Sequence, residues 1–191
     1  AKSKGVSRDD ILDEWDYLAQ RGMHVGSIVH DWIENYYHGH EPSIPTIESH
    51  PSPLHTAYSY GLNTVQEDIE DRIDKFKLIH EQRLHILDPV DQELRMFSKK
   101  WGLAGTLDIL FHHKGKYYVG DWKTNKDFKD NDHPKGRRQK LLYPFGDLYD
   151  NNFTGYSIQV SMYRLMLEEI GFETAGGFLV SIGPGKPKMY Q

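Results

Sequence analysis

Apolar positions recur every three or four residues in the first part of the chain and every second residue in the middle. From Ser7 to Gln20, the residues Ile11, Leu12, Trp15 and Leu18 form one stripe. Ser7, with Asp9 and Asp10 behind it, supplies an N-terminal cap. The spacing predicts a helix there that Gly22 ends. A second helix is expected from about Met23 to Tyr37, with Val25, Ile28, Val29, Trp32, Ile33 and Tyr36 inward. His40 to Pro53 holds four prolines and is predicted to be a long loop within a connection spanning 38–57. A third helix is expected over Tyr58 to Leu84. Val65, Ile69, Ile73, Phe76 and His80 form its inner face, and Glu67, Asp68, Asp71, Arg72, Asp74 and Lys75 its outer face.

Beyond Pro89 the period changes. Gln92–Ser98, Leu103–His112 and Lys116–Thr124 read as three strands, Tyr156–Ile170 as a helix ending at Gly171, and Gly177–Ile182 as a last strand. Helices followed by strands, then one more helix and strand, give an α/β or α+β domain. Its centre is a small mixed sheet flanked by helices.

The 191 residues fit a single domain, 1–191, able to bury roughly 70% of its unfolded surface. Aromatics at 13% argue against disorder. No apolar run reaches the roughly 18 residues that a membrane span needs, so no membrane partner is expected. The chain begins with Ala, as a piece cut from a longer protein would, and other domains of such a chain are expected partners. The absence of cysteine excludes disulfides, thiolate zinc sites, iron–sulfur clusters and cysteine nucleophiles. An intracellular setting fits.

Net charge is −5, which excludes a basic coat over the whole molecule. Between Lys123 and Lys140, however, seven basic residues face three acidic ones, a local balance of +4 that leaves −9 elsewhere. The segment 125–153 also interleaves Tyr143, Phe145, Tyr149 and Phe153 with Arg137, Arg138 and Lys140. Cations beside aromatics suit phosphate contact and base stacking. A solvated charged loop is the plain alternative.

The candidate chemistry lies on the central strands. With Lys114-Gly115 as a two-residue hairpin turn, opposed residues have numbers summing to 229, and Asp108 and Asp121 meet that sum. Lys123, two residues on, points to the same side. Opposed carboxylates are destabilising without a cation between them. Lys123 is one candidate and a divalent metal, Mg²⁺ or Mn²⁺, is the other.

Gly105-Thr106-Leu107-Asp108, a short hairpin, then Asp121-Trp122-Lys123-Thr124 resembles the core of the PD-(D/E)XK nuclease superfamily. Gly26-Ser27-Ile28-Val29-His30, Glu93 and Gln159-Val160-Ser161-Met162-Tyr163 resemble motifs of its RecB-like branch. Stand-alone, cluster-free members such as lambda-exonuclease-like enzymes, and nuclease domains cut from larger proteins, are the closer parallels in that resemblance. The resemblance implies a restriction-endonuclease-like core and a DNA nuclease dependent on one or two Mg²⁺ or Mn²⁺ ions. Such an enzyme would be an exonuclease or structure-dependent nuclease in DNA recombination or repair.

It also implies roles. Asp108 and Asp121 would be metal ligands, with the backbone carbonyl of Trp122 and with His30. Lys123 would position the attacking water, and Glu93 would reach a second metal or hold a water. Gln159 and Tyr163, one helical turn apart, would hold the nucleic acid. The Trp122 side chain is expected in the core. An RNA endonuclease of the same superfamily, or an inactive nucleic-acid-binding scaffold, are the competing readings. The presence of Asp108, Asp121 and Lys123 together argues against the scaffold.

Overall fold

A computed structural model describes residues 7–40, 42–44, 64–125 and 139–191. The chain divides into two compact units, Ala1–Asp74 and Lys75–Gln191.

In the first unit the Ser7 cap forms as expected. Its hydroxyl accepts from the Asp10 N–H at 3.1 Å, and the Asp10 carboxylate accepts from the Ser7 N–H at 2.9 Å. One helix, α1 (Arg8–Tyr37), then runs unbroken for 30 residues. The expected break at Gly22 does not occur. A mid-helix glycine costs only about 1 kcal/mol, which the buried stripe of Val25, Val29, Trp32 and Ile33 outweighs.

Helix α2 (Val65–Ile79) starts in this unit behind a reciprocal Thr64/Glu67 cap. The expected helical turns at 58–63 lie outside the described residues. Val65, Ile69 and Ile73 are buried as the spacing predicted. Asp68 and Arg72, expected outward, are buried as well. Asp68 is held by Arg21 of α1 at 2.5 Å and by Arg72 at 3.2 Å, so the charges enter the interior as a paired group.

In the second unit, α2 ends in a single π-helical stretch, His80–Leu84. The strands are β1 (Asp88–Ser98), β2 (Leu103–His113), β3 (Lys116–Lys123), β4 (Thr174–Ser181) and β5 (Lys188–Tyr190). They form one mixed sheet in the order β1-β2-β3-β4-β5. Pro89 does not end the preceding region. It sits inside β1, an edge strand, beside a bulge between Pro89 and Asp91, where a missing N–H is tolerated. Short β5 carries no sequence period long enough to read.

The hairpin register is the expected one. Ile109↔Gly120, Leu110↔Val119 and Phe111↔Tyr118 all sum to 229. Lys114 and Gly115 both have left-handed backbones, φ 50° and 78°, as a tight hairpin turn requires.

Helix α3 (Asn152–Glu169), capped by Asn151, links β3 to its parallel neighbour β4. Val160, Tyr163, Met166 and Leu167 of α3 pack with Leu107, Leu110, Val119 and Leu179 of the sheet. Trp122 stacks edge-on with Phe76, ring centres 5.4 Å apart, and is 3% exposed, in the core as expected. This α+β arrangement of a mixed five-stranded sheet with helices is consistent with a restriction-endonuclease-like core.

Candidate active site

The site in the second unit grows from the end of the β2–β3 hairpin. Its last ladder pair is Ile109↔Gly120, one step short of Asp108 and Asp121. There the Asp108 carboxylate accepts the Trp122 backbone N–H at 2.8 Å, so a side chain takes a backbone donor of β3.

On the other side of β2, the β1 ladder runs through Gln92↔Ile109 and Leu94↔Leu107 but skips the level between them. Glu93 and Asp108 occupy that level. Glu93 has a left-handed backbone, φ 46°, which an L-residue adopts only at a cost. Its side chain is on the exposed side of β1, and one of its carboxylate oxygens lies within 4.8 Å of one from Asp108. Three acids therefore stand at successive strands, Glu93 on β1, Asp108 on β2 and Asp121 on β3.

Their electrostatics differ. Burial pushes the Asp108 carboxyl up to about 6, with a smaller upward push from Glu93. The Trp122 N–H and Lys123 pull it down without cancelling the burial. Asp121 is wholly buried, and the Lys123 ammonium lies 2.7 Å from its carboxylate. Two causes push the Asp108 carboxyl upward. Burial comes first and Glu93 second.

Lys123 is only 15% exposed at its side chain and is met by α3. Gln159 accepts from its ammonium at 3.4 Å and donates to the Tyr163 hydroxyl at 2.9 Å. The Tyr156 ring centre is 4.2 Å from the same nitrogen. Tyr156 escaped the sequence reading. The available signal was its position three residues before Gln159, on the same helical face.

Glu93, Asp108, Asp121, Lys123, Gln159 and Tyr163 therefore gather in the second unit. His30 lies on α1 in the first unit and is half-buried. Arg137 and Arg138 lie outside the described residues.

The donor chemistry fits a hard divalent cation. Glu93 and Asp108 offer oxygens close together, and burial, with the Glu93 charge beside it, makes Asp108 harder to ionise than an ordinary carboxylate. A cation placed there would restore the charged carboxylate.

No curated protein matches the chain. The sequence profile of the PD-(D/E)XK nuclease superfamily matches residues 7–188, nearly the whole length. With acids and a lysine at the end of a β-hairpin, as that superfamily's motif requires, the chain belongs to the PD-(D/E)XK nuclease superfamily.

Proposed function

We propose that the chain is a deoxyribonuclease of the RecB-like branch. It uses Mg²⁺ or Mn²⁺ and acts as an exonuclease or on structured DNA in recombination or repair. The observation that carries this reading is the gathering of Glu93, Asp108, Asp121 and Lys123 at one end of the hairpin.

Asp108 and Asp121, the Trp122 carbonyl and His30 hold the metal, with Glu93 beside Asp108. The part of His30 rests on its sequence motif. When bound, the metal lowers the pKa of a water and offsets charge developing on the phosphate.

Lys123 orients the attacking water from the α3 side. Gln159 and Tyr163 hold the nucleic acid near the scissile bond. Arg137 and Arg138 neutralise phosphates without regard to sequence. Attack by a water needs no protein nucleophile, which suits a chain without cysteine.

A time course on end-labelled single- and double-stranded DNA and matched RNA tests this, with Mg²⁺, Mn²⁺, Ca²⁺ or EDTA. DNA cleavage is expected with Mg²⁺ and Mn²⁺, little with Ca²⁺, and none in EDTA. Full activity in EDTA would remove the metal mechanism. Cleavage confined to RNA would replace the DNA assignment.

A further inference from the structure

Lys123 has three neighbours of different kinds. Its ammonium is 2.7 Å from the Asp121 carboxylate, 3.4 Å from the Gln159 carbonyl oxygen and 4.2 Å from the Tyr156 ring centre. Asp121 is wholly buried, so its charge dominates where the ammonium rests in the protein without metal. Under the proposed function, that same carboxylate also serves the metal. A lysine positioned by Asp121 alone would lose its strongest anchor whenever a cation drew on that charge.

The α3 side has no such conflict. Tyr156, Gln159 and Tyr163 follow one another at steps of three and four, on one face of the helix. Gln159 is itself fixed by its bond to the Tyr163 hydroxyl. The face of an aromatic ring attracts an ammonium through its quadrupole, and more strongly where water is excluded. It is a poor ligand for a hard divalent ion, so it holds the lysine without competing for metal.

We propose that Tyr156 is a positioning residue for Lys123, acting through the face of its ring, and that with Gln159 it keeps the ammonium in place when Asp121 turns to a cation. This rests on the nuclease reading of the site. The bland account is that Tyr156 only packs against the core between α3 and the sheet, which it also touches. The two accounts differ in what a substitution should preserve. Packing needs apolar volume, whereas the proposal needs a π face.

The test uses the full chain and the variants Tyr156→Phe, Tyr156→Leu and Tyr156→Met. The last guards against a leucine variant that folds poorly, and melting curves check all three. Two quantities are measured. One is kcat and KM for a labelled DNA duplex at saturating Mg²⁺. The other is the acylation rate of the Lys123 amine by an N-hydroxysuccinimide ester, at saturating Mg²⁺ and in EDTA, read by peptide mass spectrometry.

The phenylalanine variant should match wild type within about twofold in both, because the ring is kept. The leucine and methionine variants should lose about tenfold in kcat with KM little changed, as misplacement of a catalytic group does. With Mg²⁺ present their Lys123 should acylate at least about threefold faster than that of wild type, its ammonium no longer held against the ring. In EDTA, where Asp121 holds it, the difference should be smaller. Phenylalanine and leucine variants alike in both measurements would overturn the proposal. Should wild type cleave no DNA, the nuclease reading falls, and the acylation ratios alone still uphold or overturn the role of Tyr156.

Discussion

A Cβ at Gly105 would stand 2.7 Å from Cε1 of Tyr163 and 3.0 Å from its hydroxyl oxygen. The glycine of the Gly-x-x-Asp segment therefore leaves the space in which the Tyr163 ring lies. That ring is 6% exposed and belongs to the core between α3 and the sheet. Its hydroxyl accepts from Gln159, which accepts from Lys123. A backbone position on β2 is thus tied, through two side chains of α3, to the lysine on β3.

Gly105→Ala should displace Tyr163 and destabilise the protein by about 1–3 kcal/mol, the usual cost of overpacking. In a chain of this size each kcal/mol lowers Tm by about 2–4 °C. The double variant Gly105→Ala/Tyr163→Leu should recover much of the stability but not the turnover, since the hydroxyl is gone. Melting curves and cleavage rates of the two variants check this. Equal turnover in the double variant and wild type would remove Tyr163 from the functional chain.

Asp108 gives a pH prediction whose sign follows from its environment. Its carboxyl is raised to about 6 by burial, so the folded chain holds that proton more tightly than the unfolded chain does. The stability this confers is fully present below the ordinary carboxylate range and is lost as pH rises through about 6. Asp108→Asn can still accept the Trp122 N–H and carries no charge. In EDTA it should be more stable than wild type at pH 7–8, by on the order of 2 kcal/mol, with the gap closing towards pH 4. Mg²⁺ or Mn²⁺ should raise the Tm of wild type much more than that of the variant. An asparagine variant less stable than wild type at pH 8 would mean that the ionised carboxylate is held favourably.

The hairpin was legible because its register depends on a two-residue turn, and Lys114-Gly115 has the residues such a turn uses. The same register sets Asp108 and Asp121 at one level of the hairpin, one step beyond Ile109 and Gly120. The cause of the load on Asp108 was not legible, since burial by distant segments leaves no mark in spacing. The burial of Asp68 and Arg72 leaves no mark in spacing for a related reason. A charge reads as solvent-facing until its partner, here Arg21, is known. Gly22 does not break α1, because propensity yields to a long buried stripe. The φ of Glu93 and the ring of Tyr156 over Lys123 arise only when strands and helix meet.

Lys123→Ala should lower turnover by roughly 10²–10⁴, the range of a lost general acid–base or water-orienting group. The ion pair adds a second effect. Without Lys123, the wholly buried Asp121 keeps a charge with its nearest cation removed. Breaking a buried pair from one side costs about 3–5 kcal/mol. The variant should therefore melt well below wild type in EDTA and recover with Mg²⁺ or Mn²⁺. Lys123→Met/Asp121→Asn should be more stable in EDTA than Lys123→Ala and should respond little to metal. Thermal melts of the three proteins, with and without metal, decide it. A Lys123→Ala protein as stable as wild type in EDTA would show that other groups carry the Asp121 charge.

Glu93 carries two costs in the metal-free protein, and they can be separated. Its left-handed backbone, φ 46°, costs an L-residue about 1–2 kcal/mol, and its charge pushes up the Asp108 carboxyl. Such local cost persists where the surrounding structure holds it and where the site gains from it. Glu93→Gln removes the charge and keeps the backbone cost. Glu93→Gly removes both. In EDTA the melting order should be wild type, then Gln, then Gly, with the Gly variant ahead of wild type by about 1–2 kcal/mol. With Mg²⁺ or Mn²⁺ the order should compress or reverse, because wild type alone gains the Glu93 carboxylate as a ligand. If Gly is no more stable than Gln in EDTA, the backbone of Glu93 stores no cost. If all three rise equally with metal, Glu93 does not bind it, and its place beside Asp108 serves a water instead.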